Sequence, residues 1–157
     1  VMQKVEDIFF SGTFGGETLS LAATSSVIDK YKQAQVIEHF YEMGVYLLEQ
    51  LNQLINDQRL SDIFFTSGHP AWSFLHIKEQ TEYSVFEIKT FFLQEMFKRG
   101  ILTLGSHNLS FSHTKREVDK LLEIYAEVLP MIKLYIDNQT LLENIQSDIL
   151  KPLFKVR

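Results

Sequence analysis

Between residues 34 and 56, Ile37, Phe40, Tyr41, Gly44, Leu48, Leu51 and Ile55 recur at three- and four-residue spacing, with Glu38, Glu42, Glu49, Asn52 and Asn56 between them. That period predicts an amphipathic helix starting near Ala34. Further on the period shortens to two. Residues 60–67 and 71–78 are apolar runs on either side of Gly68-His69-Pro70, the pattern of two strands joined by a turn. In the second run Trp72, Phe74 and His76 alternate with Ala71, Ser73, Leu75 and Ile77. Both faces are largely apolar, so a sheet covered on both sides is expected here.

Two capping boxes fix later helix starts. Ser84 with Glu87 opens a helix running to Arg99, where Lys98 and Arg99 suit the negative end of the dipole and Gly100 suits the left-handed stop. Thr114 with Glu117 opens another, with Val118, Leu121, Leu122, Tyr125, Leu129 and Ile132 on its face. Pro130 lacks a backbone donor and is expected to kink or split that helix. Residues 101–104 and 109–112 read as two short strands around Gly105-Ser106-His107, and residues 140–150 as a last helix before an extended tail. Residues 7–10 read as a short strand, and residues 18–32 as a helix entered through a Gly-rich loop. Strands joined by tight turns with helices to one side make an α+β domain on a mainly antiparallel sheet of about four short strands.

The 157 residues suffice for one domain with a real core, and the 13 phenylalanines imply either a thick core or apolar surface that faces another domain. A net charge of −5, with Lys and Arg dispersed, argues against nucleic-acid and anionic-membrane partners. No apolar run approaches the roughly 20 residues that span a bilayer. Without cysteine there are no disulfides or thiolate metal sites, which fits a cytoplasmic protein.

The chemistry concentrates near the start, in Ser11-Gly12-Thr13-Phe14-Gly15-Gly16 leading into a helix. Glycines let backbone approach a ligand, the first amides of a helix are unpaired, and the Thr13 hydroxyl can hydrogen-bond a phosphate oxygen. On spacing alone the block is either such an anion site or a turn that merely caps a helix. Elsewhere the residues offer little. The five histidines lack metal-ligand spacing, so no metal site is expected, and His113 is expected to fix the turn ahead of Thr114. Ser67-Gly68-His69-Pro70 is not a nucleophile elbow.

The segment from Ser11 to Ala23 resembles the S-x-T-F-G-G-N/E-x-L-x-x-A-A block of class-III pyridoxal-phosphate (PLP) aminotransferases, and Glu17-Thr18-Leu19-Ser20 is closest to the glutamate-1-semialdehyde aminomutase-like branch. Arg99-Gly100-Ile101-Leu102 and the run from Ser110 to Asp119 resemble two further blocks of that family, so the likeness extends over almost the whole chain. The resemblance implies the C-terminal part of a fold-type-I enzyme. Residues 1–33 would be a phosphate-loop segment and linking helix from the large domain, residues 34–137 the small α+β domain, and residues 138–157 a C-terminal helix and tail. Gly12 and Thr13 would bind the phosphate of PLP held by the partner subunit of a homodimer, and the small domain would close over an amino or keto substrate. The family's catalytic lysine lies upstream, and none of the 11 lysines here resembles it, so no catalytic residue is expected and the chain alone should be inactive. Between Leu104 and Ser110 the chain lacks the glutamate-containing stretch of true aminomutases, so a relative acting on another amino or keto compound, including one in sugar or surface-polysaccharide metabolism, fits as well. A stand-alone interaction or regulatory module derived from such an enzyme is the alternative.

Overall fold

A computed structural model describes residue 13 and residues 15–152. The chain divides into two compact units, Val1–Ile37 and Glu38–Arg157. The elements in order are α1 (Thr18–Gln33), α2 (Val36–Asp57), β1 (Phe64–His69), β2 (Trp72–Ile77), α3 (Val85–Lys98), β3 (Ser106–Asn108), α4 (Lys115–Asp137) and a 3-10 turn (Leu142–Asn144). The expected strand at residues 7–10 lies outside the described residues.

In the first unit α1 contains no buried residue. Leu19, Leu21, Val27, Ile28 and Tyr31 are all exposed. Its order rests on local terms: a side-chain cap at one end, and Lys30 and Lys32 against the negative end of the dipole at the other.

The second unit has its own core. The sheet has the order β1-β2-β3 and is antiparallel throughout, with Phe64 opposite Ile77, Gly68 opposite Ser73, and Ser73 opposite His107. Because pairs in register share a face, Phe64, Leu75 and Ile77 point one way. There they join Ile88, Phe91, Phe92 and Met96 of α3, Tyr125, Val128, Leu129 and Ile132 of α4, and Leu51 and Ile55 of α2 in one apolar cluster. Helix α2 meets this unit along Gly44, Leu47, Leu51 and Ile55, whereas Ile37 and Tyr41 of the predicted face are exposed. Gly44 permits the closest approach: a Cβ there would lie 2.0 Å from the Pro70 carbonyl oxygen, so the helix and the hairpin turn touch backbone to backbone.

Both capping boxes form. The Ser84 N–H donates to Glu87 Oε2 at 2.7 Å while the Glu87 N–H donates to Ser84 Oγ at 3.3 Å, and the Thr114 N–H donates to Glu117 Oε2 at 2.9 Å. Gly100, at φ 79°, takes the left-handed conformation expected of it. Helix α4 runs unbroken through Pro130. The carbonyl that the proline leaves without an i+4 donor belongs to Ala126, an exposed residue open to water.

Other expectations need correction. The sheet has three strands among the described residues rather than about four, because residues 101–104 and 109–112 form no ladder and the strand runs through residues 106–108, where a turn was expected. Register explains the shift: His107 pairs with Ser73 at the centre of the sheet, and the Ser110 N–H donates to His113 Nδ1, closing a turn beyond it. Strand β1 begins at Phe64 rather than at residue 60, since Ile63 and Phe64 both donate to the Leu60 carbonyl in a turn. Residues 140–150 hold only the 3-10 turn, not a helix. Side chains of α3 take their backbone groups instead: Gln94 Nε2 donates to the Asn144 carbonyl at 2.9 Å, the Gln146 N–H donates to Gln94 Oε1 at 2.7 Å, and the Leu150 N–H donates to Thr90 Oγ1 at 2.9 Å. Among the described residues the sheet is also covered on one side only. On its other face Phe65 is stacked on His76 at 4.6 Å, and Trp72, 56% exposed, lies 5.4 Å from Phe74.

Candidate functional site

Thr13 sits exposed in a turn, with Gly15 and Gly16 in the turn that follows. Gly12 and Phe14 lie outside the described residues. The loop is open, for a Cβ on Gly16 would meet nothing within 4 Å. Just past it, Glu17 is the N-cap of α1. Its carboxylate accepts from the Leu19 N–H at 2.9 Å and the Ser20 N–H at 2.6 Å, and the Leu21 N–H closes on the Glu17 carbonyl. The Ser20 hydroxyl and amide, then the Leu19 amide, hold that carboxyl below its usual range. This changes one premise of the sequence reading of the block. The helix amides expected to be free for an anion are taken by a side chain that is itself an anion. A ligand at this helix N-terminus would have to draw on donors other than these amides, such as the exposed Thr13 hydroxyl.

In the second unit the polar side chain that sequence reasoning placed least well is His107. Its position beside a glycine suggested a turn, yet it is buried in β3. Ser73 Oγ lies 2.9 Å from Nδ1 and Tyr125 OH 2.8 Å from Nε2, so the neutral ring donates to one hydroxyl and accepts from the other. Burial pushes its pKa down to about 4 and pushes the Tyr125 phenol up. A serine next to a histidine suggests a nucleophile, but Ser73 is 0% exposed and no substrate can reach it. This chain of three polar groups joins β2, β3 and α4 across the core. The small residue facing His107 in register was the available signal.

The remaining histidines are spread out. His113 fixes its turn as expected, and its carbonyl accepts from His39 Nε2 at 2.8 Å. His76 lies 2.7 Å from Ser67 Oγ on the open sheet face, oriented by Phe65. Among the described residues no cluster of His, Asp and Glu could hold a metal ion. None has a helix long and apolar enough to cross a membrane.

A groove of about 750 Å³ runs along the side of this unit, between residues 101–104 and the Val118, Lys120 and Leu121 side of α4, with Leu47 of α2 also in its wall. Glu117 on its rim is occupied. Thr114 and Arg116 donate to its carboxylate and bring it down to about 2. Beyond it, Lys115 lies 4.3 Å above the Tyr46 ring and donates to Asp119, which also accepts from Tyr46 OH at 2.6 Å. These contacts fasten α2 to α4.

No protein-family description matches the chain, and no curated protein matches it. Among solved structures it is similar to the PLP internal aldimine form of the Sphingopyxis sp. MTA144 FumI protein, with a TM-score of 0.70 and 19% sequence identity. The match covers 87% of this chain and 32% of the FumI chain, so the chain spans about a third of the protein it resembles. The α+β architecture of this chain is therefore that of one part of a larger PLP-binding protein's fold.

Proposed function

We propose that the chain is the C-terminal portion of a PLP-dependent class-III aminotransferase or aminomutase, working in the cytoplasm as a homodimer. The observation that carries this reading is the coincidence of two independent signals. The fold likeness is to part of a PLP-bound protein. The block around Thr13 resembles the family's phosphate segment and leads into α1.

PLP, where bound, supplies the electron sink that lets an amino group move between carbon skeletons. The residues here do simpler work. The Thr13 hydroxyl donates to a phosphate oxygen of cofactor held largely by the other subunit, with Gly12 beside it. Glu17 keeps its carboxylate on its own helix and so leaves that hydroxyl as the contact. The second unit, rigid through its own core, acts as a body that closes over an amino or keto substrate and excludes water. The lysine that such chemistry requires belongs to the rest of the protein; among the described residues no lysine is buried.

The test uses the full-length product of the gene. Purified with PLP, it should show the visible absorbance of bound cofactor and transfer an amino group from a donor amino acid to a keto acid. The 157-residue chain should show neither. Replacing Thr13 by Val in the long protein should weaken PLP retention at least about tenfold, as expected for loss of a hydrogen bond to a charged group. A long protein without PLP absorbance would refute the reading. It would favour a non-catalytic module, which the continuous core of the second unit would support.

A further inference from the structure

Residues 101–104 have the composition of a strand and, among the described residues, no strand beside them. Ile101-Leu102-Thr103-Leu104 alternates in burial as a strand does: Ile101 and Thr103 are half-buried, while Leu102 is 91% and Leu104 69% exposed. Both ends of the run are pinned. The Ile101 N–H donates to the Met96 carbonyl, and the Leu75 N–H donates to the Gly105 carbonyl, after which β3 begins. Between these points the backbone groups of Leu102, Thr103 and Leu104 have no backbone partner among the described residues. Gly105, at φ 89°, takes the left-handed conformation at the end of the run, and the ladder with β2 takes in only residues 106–108. Beside the run lies the 750 Å³ groove, with Leu47, Val118 and Leu121 as apolar wall and the exposed Lys120, which forms no ion pair among the described residues, at its rim.

Unpaired amides and carbonyls along an apolar run, next to a groove that can take side chains, are what a β-strand uses when it adds to an edge. We propose that residues 101–104 are the landing edge for a strand contributed by the part of the longer protein outside this chain. The proposal rests on the functional reading above. The incoming strand is apolar at alternate positions, with an acidic residue opposite Lys120. A second copy of this chain is the poorer occupant. A stable free interface needs about 800 Å² per partner, far more than an edge of four residues provides. Symmetric pairing would also bring two Lys120 side chains to one groove. A strand on the same polypeptide needs no such area, because tethering already gives it a millimolar effective concentration. The FumI protein has about two thirds of its chain outside the matched part, so a PLP enzyme of that size has ample chain to contribute.

Amide hydrogen exchange in two samples tests this: the 157-residue chain and the full-length gene product, with PLP absorbance recorded on the second. The amides of residues 102–104 should exchange near the open-chain rate in the first and at least about 100-fold more slowly in the second. Equal rates in both, or a gene product that adds no chain to these residues, would overturn the proposal. Slowing that grows with concentration in the 157-residue chain would assign the edge to a second copy and overturn it too. Bound PLP with equal rates would refute the strand and leave the enzyme; slowed exchange without PLP would refute the enzyme and leave the strand. Leu102→Lys gives a second readout. It should leave the melting temperature of the 157-residue chain unchanged and lower that of the full-length protein by several degrees. No change in either protein counts against the proposal.

Discussion

Helices α1 and α3 are of similar length and opposite character. Of the 14 residues of α3, seven are buried, including Phe91, Phe92 and Met96; of the 16 of α1, none is. A fully buried Leu, Phe or Met contributes about 2 kcal/mol, so α3 is fixed by packing many times over. An unpacked helix of α1's length is marginal in water, and α1 relies on the Glu17 cap, its lysines and the peptide hydrogen bonds themselves. The two units thus differ in what fixes them: an apolar core in the second, local hydrogen bonds and charge in the described part of the first.

The contrast can be broken most strongly at Gly44. Gly44→Ala should destabilise the second unit by about 3 kcal/mol, because its Cβ would occupy the space of the Pro70 carbonyl. Urea unfolding followed by Trp72 fluorescence would measure this, and amide exchange in α1 should not change. Acid gives a similar effect on the same unit. His107 is neutral when folded down to about pH 4, whereas in the unfolded chain it binds a proton below its ordinary value near 6.5. The unfolded state therefore binds more protons in this window. Stability is full above pH 6.5, falls by about 3 kcal/mol as pH drops to 4, and loses nothing more to this residue below that. Denaturant midpoints against pH would show the slope, and His107→Gln should flatten it. Ser84→Ala should cost about 1 kcal/mol through loss of the α3 cap, read as a shift in the same midpoint. The smallest effect lies on the other side of the contrast. Glu17→Ala should speed exchange of the Leu19 and Ser20 amides and leave the unfolding midpoint of the second unit where it was.

What could be read from the chain divides along similar lines. The capping boxes at Ser84 and Thr114, the Gly100 stop and the hairpin around residues 68–71 are local signals, and the structure has them all. Strand β3 is not local. Residues 106–108 carry no strand signature and become a strand only because Ser73 leaves room for His107 and Tyr125 waits on α4. The segment at residues 140–150 failed for the same reason, since Gln94 and Thr90 of α3 capture its backbone. At the candidate site the glycines and Thr13 stood out, but the cap did not. A glutamate immediately before the first helical residue was the signal that those amides were already taken. The expected role of Thr13 rests on family resemblance.

The Gln94 side chain has a consequence for the ageing of the protein. Its amide donates to one backbone group and accepts from another two residues on, so it stands in for a single peptide unit of a neighbouring strand. Spontaneous hydrolysis of that amide would keep the acceptor for Gln146 but replace the donor to Asn144 with a negative charge facing a carbonyl. The new carboxylate would also lie beside Glu95, whose own carboxylate now accepts from Gln94 at 3.1 Å. Chemical wear at that one side-chain amide would therefore loosen residues 144–146 from α3 and leave the packing of Ile145 on the core to hold them.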